Sequence, residues 1–213
     1  MCYIKLPTYR FDSDNFYIMG SETFYDKVVC LFEYTGIIRQ ALIKYKFHHK
    51  PSFFRAFSLL LAESIKKMTD YRKFDILLDV PLHKEKEHSR GYNQASIIAE
   101  MLASELGLCY RSGLLVRVRN TKSQSLLNRE QRNVNLKDAF KVINPKEIIN
   151  KEILIIDDIF TTGNTLNECS RSLKLAGAKK VTAAVIASGR KAENREQRIE
   201  NREQRTENRD QKI

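Results

Sequence analysis

The segment Ile153-Leu154-Ile155-Ile156-Asp157-Asp158-Ile159-Phe160-Thr161-Thr162-Gly163-Asn164-Thr165 runs four apolar residues into two carboxylates and then into a hydroxyl- and glycine-bearing loop. The apolar run suits a strand buried on both faces. The loop opens a helix that carries Leu166, Cys169, Leu173 and Ala176 at helical spacing. A helix start offers unpaired backbone N–H groups and the positive end of the helix dipole, which together seat a phosphate. Gly163 lets the backbone approach phosphate oxygens, and Thr161, Thr162 and Thr165 can donate hydroxyl hydrogen bonds. Two adjacent carboxylates would repel a phosphate, but they suit a sugar's vicinal hydroxyls, from which they accept hydrogen bonds. Phosphate on one side and a diol on the other describe a ribose 5-phosphate. Thr165 and Glu168 also spell T-x-x-E, so the Thr165 hydroxyl has an alternative use as a helix cap. The loop is not a Walker A motif, since it has no Gly-Lys-Ser/Thr.

All thirteen positions fit the phosphoribosyl-pyrophosphate (PRPP) motif of type I phosphoribosyltransferases, which this segment resembles. Two further stretches narrow the likeness. Val80-Pro81-Leu82-His83 with Arg90-Gly91-Tyr92-Asn93-Gln94-Ala95 resembles the V-P-L-H…R-G-F/Y-N-Q-A signature of the ComF (competence protein F) family. Arg119, Thr121 and Gln124, followed by Leu127, Arg129, Arg132, Asn133 and Ala139-Phe140, resemble that family's R-x-T-x-x-Q…L-x-R-x-x-R-x-x-N…A-F stretch. In this order the three cover about residues 28 to 188.

The resemblance implies a type I phosphoribosyltransferase-like α/β fold, with a mostly parallel central sheet flanked by helices and a small hood. It implies PRPP contacts at Asp157, Asp158, Thr161, Thr162, Gly163, Asn164 and Thr165, with Asp157 and Asp158 also catalytic. Pyrophosphate contacts fall on Leu82, His83, Arg90, Arg119, Arg129 and Arg132. The implied reaction moves a phosphoribosyl group from PRPP to an unassigned acceptor and releases pyrophosphate through an oxocarbenium-like state. Mg²⁺ would be held mainly by PRPP oxygens, with no metal site made by the protein itself. The alternative is a non-catalytic PRPP- or nucleotide-binding protein linked to competence and DNA uptake. Ordinary roles compete for several residues: His83 as a loop imidazole, Arg90 and Gln94 as supports of a helix start, and Arg129 and Arg132 as a solvated face.

Two departures from the family stand out. Its members often begin with a cysteine-rich zinc ribbon, whereas only Cys2 and Cys30 precede the body here, too few for a four-ligand site. Between His83 and Arg90, where the family carries several arginines on its first loop, this chain has Lys84-Glu85-Lys86-Glu87-His88-Ser89.

The formal charge is +11, and it is unevenly placed. Residues 39–73 hold nine basic and two acidic side chains, and residues 111–141 hold eight and two, so these blocks carry +7 and +6 and the remainder carries −2. The second block coincides with the expected hood, where arginines suit pyrophosphate. The first contains Lys44-Tyr45-Lys46-Phe47-His48-His49-Lys50. Basic residues interleaved with aromatics can bind single-stranded DNA, although Tyr45 and Phe47 have an equally ordinary use in a core with the lysines snorkelling outward. His48-His49 lacks further ligands, so no metal is expected there. Competence machinery and a second copy of the chain stay open as partners.

The elements that must position these residues follow from periodicity. Strands are expected at 28–32, 75–80, 114–118, 139–143, 153–156 and 181–187, the fifth ending at the acid pair, with helices after Gly36, after Pro51, over 95–106 and over 166–176. Strand and helix alternation means a mostly parallel sheet. The domain is expected over 27–189, preceded by a truncated segment, 1–26, without a zinc ribbon. From Ala192 a charged seven-residue repeat (AENREQR, IENREQR, TENRDQK) forms a tail, 190–213, with too few apolar positions for a coiled coil. Cys109 and Cys169 are expected in the core. With 42% hydrophobic residues a core can be built, and no run is long enough to span a bilayer, so a cytoplasmic protein is expected.

Overall fold

The computed structural model describes residues 23–47, 51–119 and 136–189. The heptad tail, Cys2, His48-His49, Arg129 and Arg132 lie outside the described residues, as do the side chains of Tyr45, Phe47 and Arg90. Four strands form one parallel sheet: β1 (Lys27–Glu33), β2 (Ile76–Asp79), β5 (Glu152–Phe160) and β6 (Lys180–Ser188). Their spatial order is β1-β6-β5-β2. A separate antiparallel pair, β3 (Leu115–Arg117) and β4 (Phe140–Val142), brackets the stretch expected as the hood. The helices are α1 (Gly36–Phe47), α2 (Pro51–Met68), α3 (Lys84–Arg90), α4 (Gln94–Leu106) and α5 (Asn164–Leu175).

Strand alternation sends successive side chains to opposite faces, and the two faces gather two cores. Ile153 and Ile155 of β5 join Val181, Ala183 and Val185 of β6 against Leu166, Cys169 and Leu173 of α5. Leu154 and Ile156 join Ala184 and Ile186 against Leu61 and Ile65 of α2 and Ile98 and Leu102 of α4. A sheet covered on both sides explains why β5 and β6 read as unbroken apolar runs.

Two expectations are corrected here. The strand expected to stop at Ile156 continues through both carboxylates to Phe160, because Asp157 pairs with Val185, Ile159 with Ala187 and Phe160 with Ser188. The acids are therefore ladder residues, and only Thr161, Thr162 and Gly163 separate β5 from α5. Residues 84–90, read as part of an open loop, form the short helix α3, closed by Gly91 in the left-handed region at φ 80°.

Connection geometry locates the working edge of the sheet. β2 leaves through α4 on one face, and Tyr110 then makes a parallel bridge with Leu77 on the side of β2 away from β5. β5 leaves through α5 on the opposite face and returns at β6. Right-handed crossovers require this change of face when the direction of travel along the sheet reverses. The loops after β2 and β5 thus diverge, leaving a crevice beyond their C-terminal ends, the position where open α/β sheets bind ligands. Among the described residues, no helix is long and apolar enough to cross a membrane.

Candidate functional site

Asp157, Ile159, Phe160, Thr161, Gly163, Asn164, Thr165 and Leu166 line one depression at the end of β5. This brings together five of the seven residues expected to contact PRPP. Asp158 and Thr162 stand beside the lining rather than in it. Asp157 Oδ1 accepts a 2.8 Å bond from the Asp158 N–H, and Thr162 Oγ1 accepts a long 3.5 Å bond from Asn164 N–H.

Gly163 is fixed by two separate requirements. Its φ of +82° lies where L side chains are rarely found, and a Cβ there would meet Phe160 Cζ at 2.8 Å and the Tyr25 hydroxyl at 3.1 Å. Tyr25 is 4% exposed and packs edge-on against Phe160, with ring centres 6.3 Å apart. Next to it, Phe24 N–H donates to Asn167 Oδ1 at 2.8 Å. The residues just before β1 therefore buttress the loop from behind.

Gly163 is also the N-cap of α5, which overturns the capping-box alternative for Thr165. Glu168 is engaged elsewhere: its Oε1 accepts from Asp138 N–H at 2.7 Å, and both carboxylate oxygens accept from Arg171. Arg171 also pairs with Asp138. Glu168 and then Asp138 raise the Arg171 pKa, while burial opposes them. This cluster pins the return of the hood stretch, with Asp138 at φ 55°, onto α5.

Arg117 on β3 is a site neighbour that sequence reading missed. Its guanidinium lies over the Phe140 ring at 5.5 Å. Burial pulls its pKa below the ordinary arginine value, and the nearby Cys169 and Asp157 push it back up. Arginine keeps its charge regardless, so a cation stands near enough to the first acid of the pair to feel its charge. The thiol of Cys169, fully buried, is raised well above its usual value by burial and then by Asp157. The Cys30 thiol is pushed up to about 12, mainly by burial. Neither is a nucleophile at neutral pH. Cys109, expected in the core, is instead exposed, because it falls beyond the Gly107 cap of α4 on the edge segment that bridges to β2.

The first loop sits across the crevice. Val80 N–H donates to Ile156 O at 2.9 Å, so Pro81, Leu82 and His83 emerge beside the end of β5. His83 caps α3, with Nδ1 accepting a 3.4 Å bond from Glu85 N–H, and both it and Leu82 are half-buried. Arg90 ends α3. Arg119 Nη1 donates to Lys137 O at 2.6 Å and so ties the two ends of the hood stretch together.

Asp79 has no signal in the sequence beyond being an acid at a strand end. In the fold it is buried and accepts from Asn93 Nδ2 (2.9 Å), Ser96 Oγ (2.6 Å) and the Tyr110 hydroxyl (2.9 Å). Burial and then Asp79 raise the Tyr110 pKa to about 12. Among the described residues, no group of three or more His, Cys, Asp or Glu side chains could hold a metal.

Comparison with known proteins bears on this geometry. The model of the phosphoribosyl transferase domain matches residues 92–209, more than half of the chain. Competence protein F of Haemophilus influenzae is 29% identical over 76% of this chain and 73% of its own. Competence protein ComFC of Streptococcus pneumoniae is 32% identical over 71% of this chain and 63% of its own. A purine phosphoribosyltransferase of Pyrococcus horikoshii superposes with a TM-score of 0.43 at 17% identity, over 65% of this chain and 76% of its own. The chain belongs to the phosphoribosyl transferase domain family, as a phosphoribosyltransferase-like member of the competence protein F family.

Proposed function

We propose that the chain binds PRPP in the crevice between β2 and β5 and transfers its phosphoribosyl group to an acceptor, releasing pyrophosphate. The observation that carries this reading is the convergence of Asp157, Thr161, Gly163, Asn164 and Thr165 on one depression at the start of α5. Backbone N–H groups of the loop and the hydroxyls of Thr161, Thr162 and Thr165 take the 5-phosphate. Asp157 and Asp158 accept from the ribose hydroxyls. Their negative charge also favours the oxocarbenium-like state that develops as the C1–O bond breaks.

The acceptor's lone pair forms the new bond to C1, the C1–O electron pair leaves with pyrophosphate, and the acceptor's proton passes to solvent. Leu82, His83, Arg90, Arg119, Arg129 and Arg132 are assigned to the departing pyrophosphate. The donor set around the acids suits Mg²⁺: Asp157 and Asp158 offer hard carboxylate oxygens, and among the described residues no group of three or more His, Cys, Asp or Glu could hold the ion unaided, so most ligands would be PRPP and water oxygens. When bound, that ion neutralises the leaving group.

A second reading keeps the binding without the transfer. It is favoured by the competence names of the relatives and by the +7 block over residues 39–73, which suits single-stranded DNA. Calorimetric titration with PRPP and Mg²⁺ tests the shared premise. Saturable binding is expected, lost in the Asp157→Asn/Asp158→Asn double variant, and absence of binding to the wild-type chain overturns both readings. Pyrophosphate release measured over a panel of nucleobases and amines then separates them, since binding without release from any acceptor removes the transferase. Retention of single-stranded DNA that weakens with salt supports the DNA arm.

A further inference from the structure

We infer that Asp79 is the positioning residue of the first loop, holding Pro81–His83 in the orientation that receives pyrophosphate; this rests on the PRPP reading above. Asp79 is the last residue of β2 and is 8% exposed, yet its three hydrogen-bond donors are all neutral: Asn93 and Ser96 at the start of α4, and Tyr110 on the segment beyond it. A buried carboxylate is costly to desolvate. A leucine would fill the strand end without that cost, but it could not hold the three donors in register.

What the carboxylate fixes is Asn93. While donating to Asp79, the same Nδ2 also donates to Val80 O at 3.0 Å, and Oδ1 accepts from Ala95 N–H at 3.1 Å. One side chain thus joins the residue preceding the loop to the first turn of α4. Val80 is held a second time by its N–H bond to Ile156 O, the residue adjoining Asp157. At the far end, His83 O accepts from Glu87 N–H at 3.0 Å, and Gly91 N–H returns to Glu87 O at 2.8 Å. The loop is anchored at both ends, and the Asp79 cluster sets where its first end stands relative to the acid pair. Tyr110, Ser96 and Asn93 come from positions 14 to 31 residues beyond Asp79, so the arrangement specifies a loop position rather than the stability of a single element.

The test separates positioning from simple stabilisation by using two halves of the ligand. Pyrophosphate and ribose 5-phosphate are titrated separately, each with Mg²⁺, into the wild-type chain, Asp79→Asn and the milder Ser96→Ala, with backbone amide exchange followed in parallel. Asp79→Asn replaces an acceptor with an amide that must turn one N–H toward existing donors. Its pyrophosphate affinity is expected to fall about tenfold, the loss of one hydrogen bond to a charged group, and Ser96→Ala by about threefold, while ribose 5-phosphate affinity changes less than about twofold. Exchange is expected to quicken over 80–93 and to stay unchanged over 157–167.

Equal losses for both ligands, unchanged pyrophosphate affinity in a folded Asp79→Asn, or unchanged exchange over 80–93 each overturn the inference. If Asp79→Asn does not fold, Ser96→Ala decides by the same criteria. A wild-type chain that binds neither half-ligand sinks the PRPP reading instead, and the exchange pattern alone then decides whether Asp79 positions the loop.

Discussion

The loop after β5 is confined at Gly163 by van der Waals contact, whereas the loop after β2 is anchored by hydrogen bonds to a buried carboxylate. At the first, Gly163 fits against Phe160 and Tyr25 with no room for a methyl group. At the second, Asp79 gathers three neutral donors and Asn93 passes the constraint on to Val80. Contact fixes a loop by exclusion, so any added atom displaces it. A polar cluster fixes a loop by orientation, so the loss of one partner turns it without opening a cavity. One crevice is thus built by two kinds of constraint, and substitutions should distinguish them.

Gly163→Ala breaks the contact side and should have the largest effect. The left-handed φ and the clash with Phe160 together should cost about 3 kcal/mol in urea unfolding, with loss of PRPP binding. Adding Phe160→Leu should recover part of that loss by making room, while the backbone cost stays. A Gly163→Ala chain as stable as the wild type would show that the loop is not held by exclusion.

Tyr110→Phe sharpens the polar side, with an expected loss of about 1 kcal/mol at neutral pH from one hydrogen bond. The tyrosine's raised pKa adds a signature. Above its ordinary value of 10 the unfolded chain ionises first, so wild-type stability should decline from pH 10 toward about 12. Tyr110→Phe should decline less steeply over that window. Parallel slopes would place the hydroxyl outside the cluster.

The smallest effect is expected just before the start of β2, away from both loops. Asp75 accepts from Glu152 N–H at 2.9 Å and from Lys151 at 3.1 Å. The backbone bond holds its pKa below the ordinary 3.8; burial opposes it, and Lys151 adds to the lowering. Its stabilisation is present above that value and fades as the pH falls through the lower folded one. Asp75→Asn should therefore be slightly less stable at neutral pH, with the gap closing in acid and with unchanged affinity for either half-ligand. A change in ligand affinity would couple the two ends of the sheet.

What could be read from the chain differs between the two loops for the same physical reason. The β5–α5 loop is contiguous, so its acids, threonines and glycine stand in one sequence window beside an apolar run. The parallel sheet and its helices were likewise legible from periodicity. The reach of β5 to Phe160 was not, because acid residues at 157 and 158 look like a strand end until β6 is seen pairing beyond them. The Asp79 cluster was hidden because its donors arrive from positions 93, 96 and 110 through tertiary packing alone. Arg117 was hidden likewise, since only the fold brings it within electrostatic reach of Asp157. The helix end at Leu106 was legible, but the exposure of Cys109 was not, because the segment beyond the cap is placed at the sheet edge only by its bridge to β2.

The extension of β5 through its carboxylates also bears on the entropy of binding. Ordering a backbone residue costs about 1–2 kcal/mol. Asp157 through Phe160 already belong to the ladder with β6, and Gly163 is confined by its neighbours. Little of the loop then remains to be frozen when a ligand arrives: chiefly Thr161 and Thr162. A sugar phosphate entering here meets a surface ordered during folding, so its contact energy can go to affinity rather than to assembling its own site.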